Sequence, residues 1–310
     1  MNHGWIYREK VKAADAGQTI LDYYTTKYRH SNQSQWQSRI ESNRILINDS
    51  TVQSDRVLQP GDNLTYHRAP WVEPEVPLKF KILYEDLDLL LIDKPSGLPV
   101  IPGGGFLEHT LLWQLKTIYP EDTPFPVHRL GRGTSGLLML GRSQLAKSSL
   151  AKQMRNSTIE KGTPQLSKTY RALVSGNSIG DCLTIEQPID KIPHPVLGYI
   201  YGATPDGKYA RSESRVIERY ADCTLLEVTI YTGRPHQIRI HTAAVGYPLY
   251  RDPLYIAGGI FAPIQEKQET IPVPGDCGYF LHAYRLSFTH PRSQQSMKFE
   301  CPTPKNWKLV

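Results

Sequence analysis

The chain has 310 residues, of which 39% are hydrophobic and 21% charged, and this is the composition of an ordinary globular protein rather than a fibrous or disordered one. Its length allows one large domain, or a large and a small one, to fold without metal or disulfide support. The net charge of +6 favours a polyanionic partner only weakly, and because nine basic and nine acidic residues precede Leu78, the whole excess lies after that point.

The first 69 residues predict a small α+β module. Apolar spacing indicates helices over residues 19–28 and 34–44, and short strands follow at 45–48 and 64–66 around a Pro-Gly-Asp turn. This order of elements resembles the ribosomal S-four-type RNA-binding domain, in which the second helix and the adjoining loop face RNA.

That resemblance implies that Arg39 and Arg44 contact phosphates. The balanced charge of the segment favours the alternative, a neutral module whose arginines are simply solvated. Residues 70–78 contain three prolines, which favour extended backbone, so we expect a linker there and a second domain over 79–310.

The second domain mixes short strands with few long helices. This mixture predicts an α+β fold around an antiparallel or mixed sheet, and the absence of a βαβ rhythm and of a glycine-rich phosphate motif argues against a doubly wound fold. The strands are expected at 80–84, 89–92, 168–174, 214–219, 224–230 and 279–288. Helices are expected at 109–119 and 143–155, and a third follows the 224–230 strand and runs through residue 244.

The most specific motif is V-H-R-L-G-R-G-T-S-G-L-L at residues 127–138. It resembles the signature of the RluA-type pseudouridine synthases, which reads His-Arg-Leu-Asp, two variable residues, then Thr-Ser-Gly. Gly131 stands where that family has its catalytic aspartate. The resemblance implies that four other residues of the motif contact RNA, namely His128, Arg129, Arg132 and Thr134.

Two more blocks resemble motifs of the same family. Residues 93–100, D-K-P-S-G-L-P-V, resemble a strand that ends in a Lys-Pro-x-Gly turn, which makes Lys94 a phosphate contact or a support of the fold. Residues 167–174, S-K-T-Y-R-A-L-V, resemble the block with the active-site tyrosine, here Tyr170. Such a ring can stack on a flipped base, although the plain alternative is a tyrosine of the core.

The block T-G-R-P-H-Q-I-R-I-H at residues 232–241 resembles a motif whose arginine pairs with the catalytic aspartate and keeps it ionised. The resemblance therefore places Arg234 in the active cleft and makes Gln237 and Arg239 RNA contacts. The alternative is a surface arginine at a strand-to-helix turn.

The resemblance as a whole implies an enzyme that isomerises uridine to pseudouridine in structured ribosomal or transfer RNA, with no metal or organic cofactor. That reaction needs a nucleophile or base, and glycine has no side chain to supply one. Three explanations stay open: another carboxylate, such as Asp93 or Asp252, enters the cleft; a non-standard group acts; or the protein is an inactive RNA-binding or RNA-chaperone relative.

The four cysteines are widely separated and form no zinc-like cluster, so we expect free thiols in a reducing compartment. The N-terminal segment lacks the apolar core of a secretory signal, and no stretch approaches the length of a membrane-spanning helix. We therefore expect a cytoplasmic protein without membrane contact, and a monomer because no dimer seam is evident.

Overall fold

A computed structural model describes residues 1–156, 166–195, 197–261, 271–305 and 307. The chain divides into two compact units, Met1–Glu73 with His194–Gly198, and Pro74–Pro193 with Tyr199–Val310. Within the described ranges no helix is long and apolar enough to cross a membrane. All four cysteines are unpaired, as expected.

The first unit combines two helices with a four-stranded antiparallel sheet. Its elements are β1 (Trp5–Lys10), α1 (Ile20–Lys27), α2 (Gln33–Glu41), β2 (Ile45–Ile47), β3 (Ser50–Thr51) and β4 (Asn63–Arg68). The strand order is β1-β4-β2-β3. The predicted helices and the strands at 45–48 and 64–66 are present, whereas β1 has no counterpart in the prediction.

Local chemistry explains where these helices begin. The Thr19 side chain accepts a hydrogen bond from the Asp22 backbone N–H, which caps α1, and Asn32 with Gln35 forms a capping box at α2. Both helices turn apolar and aromatic side chains toward the sheet, and the buried Trp36 ring lies 4.9 Å from that of Tyr24.

The second unit is built on one mixed sheet. Its strands are β5 (Lys81–Glu85), β6 (Leu89–Lys94), β7 (Phe125–Pro126), β8 (Ser135–Gly141), β9 (Ser167–Ser175), β10 (Cys182–Ile185), β13 (Ser212–Arg219), β14 (Cys223–Ile230), β17 (Leu281–Thr289) and β18 (Ser296–Glu300). Small hairpins are formed by β11 (Ile189–His194) with β12 (Gly198–Ala203) and by β15 (Tyr255–Ile256) with β16 (Ile260–Phe261). The helices are α3 (Leu111–Ile118), α4 (Gln144–Asn156) and α5 (Gln237–Ala244).

The main path of the sheet runs β10-β13-β14-β9-β17-β8-β6-β5, with β18 beside β17 and β7 beside β8. Every pair is antiparallel except β8 with β17, which makes the sheet mixed. This confirms the predicted α+β class. The prediction did not include β8, all seven residues of which are buried.

The parallel pair explains one glycine of the Thr-Ser-Gly motif. Gly136 has φ +99°, and a Cβ there would lie 2.4 Å from the carbonyl oxygen of Ala283 on β17. Only glycine allows the two strands to approach this closely. Beside it, the Ser135 hydroxyl lies within 2.9 Å of His282 Nδ1, which joins the two strands a second time.

Asp88, in the turn between β5 and β6, ties three parts of the second unit together. Its buried carboxylate accepts two hydrogen bonds from Arg292, beyond β17, and a third from the Ser143 hydroxyl. Ser143 in turn accepts a hydrogen bond from the backbone N–H of Ala146 at the start of α4. The hydrogen bonds from Arg292 are the main reason that the pKa of Asp88 falls to about 2.

We predict that Asp88→Asn lowers the free energy of unfolding by about 2 kcal/mol at pH 7, because it weakens charge-assisted hydrogen bonds to a buried carboxylate. Since the folded state lowers the pKa of Asp88, its contribution is present above the usual carboxyl pKa and is lost as pH falls toward about 2. Denaturant unfolding of both proteins at pH 7 and pH 2.5 measures this. Asp122→Asn, at an exposed position, is the control. If Asp88→Asn lowered the free energy of unfolding by the same amount at both pH values, the lowered pKa of Asp88 would be contradicted.

Candidate active site

The loop that carries Gly131 is held by the Lys-Pro-x-Gly turn. The ammonium of Lys94, at the end of β6, is fully buried and donates to the carbonyl oxygens of Pro95, Leu98 and Arg132 at 2.8, 2.8 and 3.2 Å. The backbone N–H of Gly97 also donates to the Arg132 carbonyl at 2.8 Å. The first motif therefore fixes the second by hydrogen bonds.

Gly131 lies at the surface in a tight turn, beside a tyrosine from the far end of the chain. The Thr134 N–H donates to the Gly131 carbonyl at 3.0 Å. A Cβ at Gly131 would meet the Tyr279 hydroxyl at 2.9 Å, and that hydroxyl also lies 3.3 Å from the Thr134 hydroxyl. Tyr279 thus occupies space that a side chain at position 131 would need.

Tyr279 is itself held by Arg239. The guanidinium of Arg239 lies 4.2 Å from the Tyr279 ring centre and forms a two-pronged ion pair with Asp252, with both N–O distances at 2.7 Å. Burial of the pair is nearly complete, at 2% and 0% side-chain exposure. Such bidentate pairing satisfies both charges and fixes the arginine against the ring.

A cleft of about 860 Å³ opens beside this loop. It brings together His128 and Gly131 from the loop, Tyr170 from β9 and Arg234 from the turn before α5. These residues are separated by up to 106 positions in the chain, yet the predicted catalytic set meets in one place. The volume is within the range that small-molecule sites usually have.

The cleft is strongly basic. Its lining includes five Lys or Arg side chains, those of Arg129, Arg132, Arg155, Lys168 and Arg234, whereas none of the described lining residues is an aspartate or glutamate. Charges of one sign in a concave surface reinforce one another and attract polyanions. The net charge of +6 is spread over the whole chain, whereas these five positive charges meet in one cleft.

Two lining residues are held in their neutral forms. Burial raises the pKa of the Tyr170 phenol to about 12. Burial, together with the nearby Lys168 charge, lowers the pKa of His128 to about 3, and its Nε2 accepts a hydrogen bond from the Met139 backbone N–H. Near neutral pH, Tyr170 therefore keeps a proton that it can donate, and His128 supports β8.

Arg234 has no carboxylate partner among the described residues. Its Nε donates to the Tyr209 carbonyl oxygen at 2.9 Å, and its backbone N–H donates to Gln237 Oε1. Of the two carboxylates proposed as substitutes, Asp252 is paired with Arg239, and Asp93 lies beside the Cys301 thiol. Neither lines the cleft, so the structure does not support either as the replacement.

Three residues that were predicted to contact RNA are buried inside the protein. Lys94, Gln237 and Arg239 are buried, and each uses its polar atoms inside the protein. Gln237 accepts from the Thr232 hydroxyl and the Arg234 N–H, and its amide donates to the Arg211 carbonyl and the Ser212 hydroxyl. The structure therefore corrects the predicted RNA contacts of Gln237 and Arg239, because their donors are already used, and Lys94 has the alternative role of supporting the fold.

The other predicted contacts vary in exposure. Arg129 is exposed, and Arg132 is half-buried with its Nε donating to the Gly275 carbonyl. Thr134 is buried against Tyr279 and helps to shape the turn. Sequence reasoning missed Lys168 and Tyr279, although Lys168 lies two residues before Tyr170, a spacing that places both on one face of a strand.

Comparison with known proteins agrees with this geometry. A family model described as RNA pseudouridylate synthase matches residues 88–244, which include the Gly131 loop, Tyr170 and Arg234. The chain belongs to the RNA pseudouridylate synthase family. The RluA-type assignment predicted from the motifs is confirmed.

Members of this family are similar to the chain over most of its length. An uncharacterized RNA pseudouridine synthase of Synechocystis is 48% identical, over 92% of this chain and 94% of that protein. The ribosomal large subunit pseudouridine synthase D of Neisseria meningitidis serogroup B is 33% identical, over 93% of this chain and 75% of that protein. A solved structure, human RNA pseudouridylate synthase domain containing 1, superimposes with a TM-score of 0.55 over 75% of this chain and 87% of that chain at 21% identity, which supports the fold.

We predict that Gly131→Ala destabilises the protein by about 1 kcal/mol, because a methyl group would press on the buried Tyr279 hydroxyl. The same change in a Tyr279→Phe background should cost less, since the obstructing oxygen is gone, so a double-mutant cycle measured by denaturant unfolding should show coupling of about 1 kcal/mol. Gly103→Ala is the control, because nothing lies within 4 Å of a Cβ there. Additive effects of the two changes would contradict the contact.

Proposed function

We propose that this protein is an RNA pseudouridine synthase that takes a uridine of structured RNA into the cleft and isomerises it to pseudouridine. The observation that carries the proposal is the meeting of Tyr170 and Arg234 with the Gly131 loop in one basic cleft. Membership of the RNA pseudouridylate synthase family supports the same activity.

The reaction defines what each group has to do. The uridine must leave its stack, because the bond between ribose C1′ and uracil N1 cannot be reached inside a helix. The Tyr170 ring can stack on the flipped base, and its hydroxyl, which is neutral near pH 7, can relay the proton that leaves uracil C5 to solvent. Arg234 and its basic neighbours can attract the RNA backbone. Since Gly131 offers no side chain, a group other than residue 131 must act at the sugar or base.

The described lining residues include no carboxylate, and this leaves a second candidate, an RNA-binding or RNA-chaperone protein that no longer isomerises uridine. Both candidates use the same cleft and the same RNA. They differ only in whether the glycosidic bond breaks, and an assay of that bond separates them.

The RNA substrate, the location and the oligomeric state extend the proposal. Ribosomal RNA is the proposed substrate, because the name of the Neisseria relative specifies the large ribosomal subunit. The free thiols support a cytoplasmic protein, and we propose a monomer. The proposed organisation is an RNA-binding module of residues 1–69, a linker of 70–78 and a catalytic domain of 79–310.

The first module is proposed to be S-four-like and to contact RNA phosphates through Arg39 and Arg44. Its two helices and antiparallel sheet are compatible with that resemblance. Arg44 is exposed just after α2. Arg39 is half-buried. Its guanidinium lies 4.4 Å from the Trp36 ring centre and donates a hydrogen bond to the Ser31 hydroxyl. Arg44 is therefore the more accessible of the two.

We predict that the protein releases tritium from RNA that carries uridine labelled at C5, and that Tyr170→Phe lowers this rate by roughly a hundredfold, which is what loss of a positioned proton-transfer group costs. RNA affinity, measured by filter binding, should change far less because the ring remains. Tyr199→Phe, at an exposed tyrosine, is the control. RNA binding without any tritium release from the wild type would instead establish the RNA-binding candidate.

We further predict that Gly131→Asp creates or increases tritium release by roughly a hundredfold, because it supplies a carboxylate nucleophile or base. Tyr279→Phe should increase the gain further by making room for the new side chain. Gly131→Asn has the same size without the charge and should not respond. If the wild type is fully active and Gly131→Asp abolishes activity, a different group performs the chemistry.

For the first module, we predict that Arg44→Ala weakens RNA binding and reduces the slope of log affinity against log salt by about 1, the effect expected for one lost phosphate contact. Arg8→Ala, at an exposed position of β1, is the matched control and should leave the slope unchanged. Equal slopes for the wild type and Arg44→Ala would show that Arg44 is only solvated.

A further inference from the structure

Lys168 is a buried cation that faces the cleft. It lies on β9, lines the cleft with Tyr170, and has only 9% of its surface exposed. Of the described residues, only the sulfur of Met154 is within hydrogen-bonding reach of its ammonium, at 4.0 Å. A thioether is a weak acceptor, so the three N–H donors of Lys168 have almost no partner in the part of the chain that the structure describes.

Lys94 shows what a satisfied buried lysine looks like in the same protein. Its ammonium donates to three carbonyl oxygens and lies outside the cleft lining. Lys168 has a similar burial without those acceptors. An unpaired buried ammonium costs free energy unless an anion or water approaches it, so its environment is complementary to an anionic ligand.

The surroundings of Lys168 add positive charge and no negative charge. Its Nζ would lie 3.8 Å from a Cβ at Gly233, directly before Arg234 in the chain. Arg155 on α4 lines the same cleft. His128 lies close enough for the Lys168 charge to help lower its pKa, and it is neutral near pH 7. The described part of this cleft therefore offers cationic donors to an anion and no competing carboxylate.

We propose that Lys168 and Arg234 form a phosphate site in the cleft, which holds the phosphodiester adjacent to the uridine that enters it. The inference rests on the proposed function insofar as the ligand is RNA. Phosphate is the anion that every nucleotide brings, and it accepts several hydrogen bonds from ammonium and guanidinium groups at once. A cleft of about 860 Å³ is large enough for the base, the sugar and this phosphate together.

The direct experiment compares the binding of uridine, 5′-UMP, 3′-UMP and inorganic phosphate by calorimetry at pH 7.5. One of the two nucleotides should bind roughly tenfold more tightly than uridine, and Lys168→Met should reduce that preference to within about twofold, the range for loss of one charge-assisted contact. The position of the phosphate in the preferred nucleotide identifies the phosphodiester. Lys152→Met, at an exposed position of α4, should keep the preference.

If Lys168→Met preferred the nucleotide over uridine as strongly as the wild type does, the proposal would be wrong. The failure of all four compounds to bind the wild type at millimolar concentration would also overturn it. Inorganic phosphate that binds as tightly as the nucleotide, with the same loss in Lys168→Met, would support the site but assign it to free phosphate.

A pH profile tests the charge of Lys168 itself. Burial lowers the pKa of Lys168 to about 8, so its positive charge is lost as pH rises through that value. His128 and Tyr170, with pKa values near 3 and 12, do not change charge between pH 7 and 9.5, and arginines stay protonated throughout. Nucleotide affinity of the wild type should therefore fall between pH 7 and 9.5, whereas Lys168→Arg should show a flatter profile. A wild-type profile as flat as that of Lys168→Arg would contradict the role of Lys168.

Thermal unfolding controls for misfolding. Without ligand, Lys168→Met should have a higher Tm than the wild type, because it removes an unpaired buried charge while keeping similar volume. Added nucleotide should raise the Tm of the wild type more than that of the variant. A ligand-free Tm of the variant well below that of the wild type would mean that Lys168 is structurally satisfied, against the proposal.

These readouts do not depend on catalysis. If tritium release is absent while nucleotide preference requires Lys168, the proposed isomerisation fails and the phosphate site stands. If tritium release occurs and Lys168→Met changes neither the preference nor the apparent affinity for RNA, the phosphate site fails and the isomerisation stands.

Discussion

One buried ammonium group, that of Lys94, fixes the position of the loop on which the candidate site depends. Its hydrogen bonds join the end of β6 to the Lys-Pro-x-Gly turn and to the carbonyl of Arg132. Burial lowers the pKa of Lys94 to about 7, because surroundings without water disfavour its charged form. If the loop moved away, this cation would lose an acceptor that water cannot easily replace. The geometry of the loop is therefore set by the backbone and does not require a side chain at residue 131.

The same arrangement explains how glycine is accommodated at position 131. Tyr279 lies over Gly131 and Gly133, and a Cβ at Gly133 would come within 2.9 Å of its ring. Arg239 holds that ring in place, and Asp252 neutralises Arg239. The residues that surround Gly131 thus form a packed structure of their own. Replacement of Gly131 by aspartate would therefore not be enough to place a carboxylate there, because Tyr279 would also have to shift.

Much of this structure could be predicted from the sequence. The sequence predicted β9, β14 and α4, and the motifs identified the family and pointed to Tyr170 and Arg234, which the structure places in one cleft. Strand β1 was missed because Trp5, Ile6 and Tyr7 are all partly exposed, so its apolar residues do not alternate between an inner and an outer face. Strand β8 was missed for the opposite reason, since a continuous buried run has no period at all.

The direction of side chains could not be predicted from motif membership. Lys94 and Lys168 both belong to blocks that resemble family motifs, yet one ammonium lies among carbonyl oxygens and the other faces the cleft. Gln237 and Arg239 are buried, and their side chains donate to acceptors from other segments, such as Ser212 and Asp252. Tyr279 lies 148 positions after Gly131, and no local pattern connects the two. These features depend on tertiary contacts.

The charge distribution separates two properties that the family motif combines. RNA attraction requires only the basic side chains that converge on the cleft, and all five are present whatever residue stands at position 131. Bond cleavage requires a group that reacts with the sugar or the base, and glycine provides none. Without a carboxylate in the described lining, the phosphate of the RNA itself is the available counter-charge for Lys168 and Arg234. Binding should therefore depend on ionic strength through all five cations, whereas catalysis depends on one reactive group, and substitutions at position 131 can change the second while leaving the first in place.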